Sequence, residues 1–133
     1  MDNLFIKLVE SPEDFEGALS VRLRVFVQEQ SVPIEEEVDY LDNTAIHAIA
    51  LTGDRIIATG RLILDEMPSV KIGRMSVDLE YRRQGVGGRL LEFLETEAKK
   101  CGASTIVLHA QEYVKSFYEV HGYKENGEVF LEA

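Results

Sequence analysis

The chain has no tryptophan, one cysteine and three prolines, and it carries only 14 basic residues against 24 acidic ones. Each shortage removes a class of protein. A single cysteine, Cys101, can form neither an internal disulfide nor a cysteine-based metal cluster, and it fits a reducing compartment. A formal net charge of -10 argues against duplex nucleic acid as a partner, because that binding rests mainly on basic side chains neutralising phosphates. No uncharged apolar window approaches the ~20 residues that cross a bilayer. The opening MDNLFIKLVE lacks the basic start and long apolar run of a secretion signal. The expectation is a cytoplasmic protein with no membrane partner. Repeats, low-complexity tracts and linkers are absent too, so residues 1–133 read as a single domain. A chain of that length buries roughly two-thirds of the surface it exposes when unfolded.

The charge is unevenly placed. From Glu10 to Asp42 there are ten acidic residues and two basic ones, Arg22 and Arg24, whereas Lys71 to Lys100 holds seven basic and five acidic. An anionic ligand near the second segment and a cationic one near the first are both compatible with this polarity.

Local patterns predict a mixed α/β order. Leu4 to Val9 reads as a strand. Ser11-Pro12-Glu13-Asp14 supplies an N-cap serine, a first-turn proline and an acid, and the spacing of Phe15, Leu19, Leu23 and Phe26 predicts a helix that ends before Pro33. Ser31 to Asp42 is too acidic for a core element and predicts a short helix or ordered loop. Ala45 to Thr52 and Arg55 to Leu64 read as a hairpin joined at Gly53-Asp54, and Met67-Pro68-Ser69 turns into a strand from Val70 to Val77. In that strand Val70 and Ile72 share one parity, Met75 and Val77 the other. Either a β-bulge near Gly73-Arg74 or burial on both faces accounts for the change. A long helix follows on the stripe Val86, Leu90, Leu94 and Ala98, closed by Gly102. Next come a strand over Ser104 to Ala110, a helical stripe through Tyr113, Val114, Phe117, Tyr118 and His121, and short strands over Tyr123 to Glu125 and Glu128 to Leu131.

The long helix opens on YRRQGVGG, Tyr81 to Gly88. Strand, glycine-rich turn and helix together present free backbone N–H groups at a helix N-terminus, which attracts anions. Gly85, Gly87 and Gly88 clear side chains from a diphosphate's path, and Arg82, Arg83 and Arg89 can donate paired hydrogen bonds to its oxygens. The plainer reading is a tight turn with solvated arginines. Neither familiar phosphate motif fits: the P-loop's Lys-Ser/Thr pair is missing, and the dinucleotide fingerprint would need glycine where Leu90 stands.

The pattern that does fit is [Q/R]-x-x-G-x-[G/A], filled by Arg82-Arg83-Gln84-Gly85-Val86-Gly87, and it resembles the coenzyme A site of the GNAT acetyltransferase superfamily. Phe117-Tyr118-x-x-x-Gly122-Tyr123 is similar to a second motif of that superfamily. FVQEQSVPIEEEVDYLDNTAIH and LHAQEYVKSFYEVHGY resemble its small bacterial ElaA-like branch. The resemblance implies a mixed, mostly antiparallel sheet splayed between strands 4 and 5 and flanked by helices. It implies acetyl-CoA as the acetyl donor, its pantetheine arm paired with the backbone of Met75, Ser76 and Val77, and its pyrophosphate on the amides of Gln84, Gly85, Val86, Gly87 and Gly88. Chains of that branch continue past the final strand. This one stops at Leu131-Glu132-Ala133, which implies a short last strand or a less closed acceptor pocket.

Acetyl transfer to an amine needs a neutral nucleophile, oxyanion stabilisation and help for the departing thiolate. The resemblance assigns the last role to Tyr118. With reference pKa values of about 10 for tyrosine and about 8.5 for a thiol, hydrogen-bond donation serves as well as full proton transfer. The alternative is that Tyr118 is a core residue. Candidate bases are the acids Glu35, Glu36, Glu37, Asp39 and Asp42, Glu36 foremost, and His109 on the strand after the long helix. Their collective charge suggests a cationic amine acceptor, either a small molecule or a lysine or N-terminal amine. Taken singly, most of these acids read as a solvated face. His47 and His121 lack metal-ligand spacing, so no metal is expected. Cys101 has no local activator and is rejected as a nucleophile. Terminal edge strands allow a homodimer. A coenzyme A-binding regulatory domain without chemistry is the rival reading.

Overall fold

The computed structural model describes residues 3–33, 39–109, 120, 122, 124, 125 and 130–132. Its strands are β1 (Leu4–Leu8), β2 (Ile46–Thr52), β3 (Arg55–Glu66), β4 (Ser69–Val77), β5 (Thr105–His109), β6 (Lys124–Glu125) and β7 (Phe130–Glu132). They form one sheet in the order β1-β2-β3-β4-β5-β7-β6. All neighbours run antiparallel except β4 and β5, which are parallel. Gly53 makes the β2–β3 turn possible: it takes φ +60 at the first central position of the two-residue loop, a conformation that costs glycine nothing.

Among the described residues two α-helices, α1 and α2, cover the sheet. In α2 (Val86–Lys100), Leu90, Leu91, Leu94 and Ala98 are buried against Ala48, Ala50, Ala58, Leu62, Val70 and Ile72, each leucine worth about 2 kcal/mol relative to exposure. The alternate strand residues His47, Ile49, Thr59 and Arg61 are also buried and face the other way, toward α1 (Pro12–Arg22). Ser11 caps α1 through its Oγ, which accepts from Asp14 N at 3.1 Å.

The helix expected to end before Pro33 does so, but it changes form on the way. After Arg22 the chain becomes a π-helix over Leu23–Glu29. The buried positions are Ala18, Val21, Arg22 and Val25, while Phe15, Leu19, Leu23 and Phe26 are only half-buried. The wider π turn shifts the helical phase, and Arg22 occupies an interior position that an apolar stripe would have given to a hydrophobe. The acidic segment contributes a 3₁₀ turn at Tyr40–Asn43, opened by a reciprocal cap between Asp39 and Asp42. The predicted stripe Tyr113 to Phe117 lies outside the described residues.

The parity change in β4 is a bulge. Gly73 pairs with Arg61 and Ser76 with Thr59, so Arg74 and Met75 together oppose Gly60. The extra residue returns Met75 and Val77 to the face already used by Val70 and Ile72, and all four pack into the core under α2. Pairing with β5 covers only Ser69–Ile72 of β4, opposite Thr105–Leu108. Among the described residues no pairing with β5 continues from Gly73 onward, the place where the splay is predicted.

Candidate active site

The end of β4 beyond its pairing with β5 and the α2 N-terminus line a cleft of about 590 Å³. Met75, Ser76 and Val77 form one wall; Arg82, Arg83, Gly85, Val86, Gly87 and Gly88 form another. Val25, Glu29 and Gln30 of the π-helical region and Tyr81 complete it. Ser76 is 2% exposed and its hydroxyl donates to the Arg74 carbonyl at 3.1 Å, so what this residue offers the cleft is backbone.

The loop from β4 to α2 is built for open donors. Asp78 N bonds Ile57 O at 2.9 Å, a 3₁₀ turn spans Leu79–Tyr81, and Arg83 and Gly85 both take left-handed backbone, φ +62 and +82. Gly85 is the N-cap of α2 and supplies no capping side chain. The first intrahelical bond runs from Arg89 N to Gly85 O at 3.1 Å, which leaves the N–H groups of Val86, Gly87 and Gly88 without partners among the described residues. A Cβ at Gly85 would meet nothing within 4 Å. The space in front of these donors is therefore open, and they are what an anion would occupy.

The arginines divide. Arg82 is already engaged: its Nε donates to Val77 O at 2.8 Å, and its Nη atoms make a bidentate pair with Glu29 at 2.6 and 2.7 Å. That pair holds the Glu29 carboxyl below its ordinary range, so Glu29 stays ionised and is a poor proton acceptor. A second fork links Arg24 to Asp78 at 2.8 and 2.9 Å. Two charge-assisted pairs thus tie the π-helix to the loop between β4 and α2. Arg55 adds contacts with Glu80 and with the Tyr81 ring, 5.4 Å from its centroid. Arg83 and Arg89 are exposed and have no ion pair among the described residues. Gln84 is exposed, its amide donating to Glu80 O at 3.2 Å.

The acids expected beside the acceptor are not a solvated face where they are described. Asp42 is 7% exposed. It takes Arg22 at 2.7 and 3.2 Å and Arg61 at 2.9 Å. Burial alone would raise its pKa, but hydrogen bonds and charge from Arg22 and Arg61 prevail and hold it low. Asp39 binds Arg61 and Arg74. Both are consumed by ion pairs because the fold places buried Arg22 and Arg61 and half-buried Arg74 beside them, a fact no local pattern reports. His47 donates from Nε2 to Asp42 O at 3.0 Å, packs edge-on to Phe15, and is held below its ordinary pKa by desolvation. Tyr118, Glu35, Glu36, Glu37 and His121 lie outside the described residues. His109 ends β5, opposite Phe130 of β7.

Among the described residues no group of three metal-ligating side chains occurs, and no helix is long and apolar enough to cross a membrane. Glu29, Gln30 and Tyr81 were not foreseen in the cleft. Glu29 reaches it through a partner 53 residues away.

A family model described as "Acetyltransferase (GNAT) domain" matches residues 9–133. The chain belongs to the GNAT acetyltransferase family. Membership makes this GNAT chain an N-acetyltransferase by class. It is 37% identical over 127 residues to the uncharacterized N-acetyltransferase YjcF of Bacillus subtilis, covering 95% of this chain and 90% of that one. An acyl-CoA N-acyltransferase from Pseudomonas aeruginosa superimposes with TM-score 0.87 at 25% identity, covering 97% of this chain and 98% of the other. Escherichia coli ElaA has the same fold, with TM-score 0.80, 24% identity and 97% of each chain covered. The GNAT sheet, splayed where its two parallel strands part, is thus the fold of this enzyme.

Proposed function

We propose that the protein transfers the acetyl group of acetyl-CoA to a primary amine, on a small molecule or on a lysine or chain N-terminus, by direct attack within a ternary complex. The observation that carries this reading is the uncapped start of α2, with left-handed Gly85 at its mouth, opening where β4 leaves β5. The backbone N–H groups of Val86, Gly87 and Gly88 would hold the diphosphate, and Arg83 at the rim would add charge. The outward backbone groups of Met75, Ser76 and Val77 would align the pantetheine arm. Arg82 acts indirectly, fixing the loop through Glu29 and Val77 O. Bound acetyl-CoA supplies an activated thioester. Tyr118 supports departure of the thiol by donating a hydrogen bond, as its family motif suggests, and Glu36 or His109 accepts the amine proton. The net charge of -10 favours a cationic acceptor, although Asp39 and Asp42 no longer count toward it.

The test is isothermal titration with acetyl-CoA, followed by thiol release over an amine panel. Gly85→Val places a β-branched residue at φ +82, a strain of about 1–2 kcal/mol, so acetyl-CoA affinity should fall about tenfold or more. No heat from the parent protein at near-millimolar acetyl-CoA would overturn the reading.

A further inference from the structure

Arg74 is a strand residue with left-handed backbone, φ +52. A side chain with a Cβ keeps that conformation only where its surroundings over-determine it. Contacts with Ser76 and Asp39 restrain Arg74. The Ser76 hydroxyl donates to its carbonyl at 3.1 Å, and its own Nη2 donates to Asp39 Oδ2 at 3.3 Å. Asp39 is itself fixed. Its carboxylate takes Arg61 Nη1 at 2.7 Å and Nη2 at 3.3 Å, and Oδ1 accepts from Leu41 N at 3.1 Å. Its backbone N–H donates to Asp42 Oδ2 at 3.2 Å. Arg61 pairs in register with Gly73, beside the bulge, and its side chain is 5% exposed. One carboxylate from outside the sheet therefore grips both strands at the point where β4 bulges, two residues past the end of its pairing with β5.

We propose that Asp39 is a positioning residue: by holding the Arg74 guanidinium it stabilises the left-handed bend that bulges β4 and presents the backbone of Met75–Val77 to the cleft. Its consequence for catalysis rests on the acetyl-CoA reading; its effect on the bend does not. With both oxygens committed to arginines and to the Leu41 amide, Asp39 acts through β4 and makes no contact with an acceptor.

The decisive experiment is a double-mutant cycle with Asp39→Asn and Arg74→Gly. Asparagine keeps an oxygen for the Leu41 amide and removes the charge; glycine takes positive φ unaided. Asp39→Asn should lower kcat/KM for acetyl-CoA about tenfold, equivalent to about 1.4 kcal/mol, while the acceptor KM stays constant. The same change made in the Arg74→Gly background should have a much smaller effect, that of the Arg61 contact alone. Scalar couplings across φ of residue 74, measured by NMR on the free protein, should shift in Asp39→Asn alone. This readout separates the two ideas: a protein that binds no acetyl-CoA defeats the functional reading, yet the couplings still judge the bend. Unchanged couplings in Asp39→Asn overturn the proposal, as does a loss of kcat/KM that is undiminished in the Arg74→Gly background. Thermal melts identify any variant that fails to fold, and in that case Asp39→Glu replaces it: restored couplings support the proposal and altered ones overturn it.

Discussion

Gly60 stands opposite the β4 bulge, and replacing it by alanine tests whether the core and the cleft share one constraint. A Cβ there would lie 2.6 Å from Met75 Sδ and 2.7 Å from Leu94 Cδ1, so each must retreat by most of an ångström. Leu94 is fully buried in α2 and has nowhere to go. Met75 is flexible, half-buried and on the cleft wall, so it yields. Overpacking of this kind costs about 1–3 kcal/mol, and at roughly 4 °C per kcal/mol for a domain of this size Gly60→Ala should melt about 4–12 °C lower. Because the displaced thioether enters the cleft, acetyl-CoA affinity should fall as well. Adding Met75→Ala should recover part of both losses. Differential scanning fluorimetry and calorimetry on the single and double variants decide the matter. A Gly60→Ala protein with parental melting temperature and affinity would refute the idea that this glycine sets the spacing at the bulge.

Asp42→Ala removes the shared partner of Arg22 and Arg61, both almost fully buried, and stranded interior charge typically costs about 3–5 kcal/mol; urea unfolding should show a loss of that size. Stability should also fall with acid in two stages. His47 has its pKa lowered from 6.5 by burial, so below about that pH the unfolded chain binds a proton that the folded one refuses, and stability declines. Asp42 has its pKa lowered from 3.8, so its contribution is present above that value and is lost as pH falls further. Urea midpoints from pH 7.5 to 3 test both, and His47→Gln should flatten only the first stage. Tyr118→Phe should reduce kcat by about 10- to 100-fold with acetyl-CoA affinity nearly intact, read by steady-state thiol release and titration; equal kcat removes Tyr118 from the chemistry.

Much of the scaffold was legible because its causes are local. Ser11-Pro12 starts a helix, Gly53-Asp54 turns a hairpin, and Val86, Leu90, Leu94 and Ala98 mark a buried stripe, each within a few residues of the structure it dictates. The phase slip from Ile72 to Met75 marked the bulge for the same reason: strand periodicity is two, and one extra residue breaks it visibly. The π-helix left no such trace, since its stripe differs from an α-helical one by a single residue per turn.

The order of elements, the glycine-bordered helix mouth and its family motif can be read from the letters, because backbone conformation and hydrophobic period act over short spans of chain. Which charges are free depends on how the folded chain packs. Arg82 looked like a phosphate ligand until Glu29 was found against it, and Asp39 and Asp42 looked solvated until Arg22, Arg61 and Arg74 closed around them. These partners are 19 to 53 residues apart in the chain, and an ion pair depends on distance through space, which no pattern of neighbouring letters encodes.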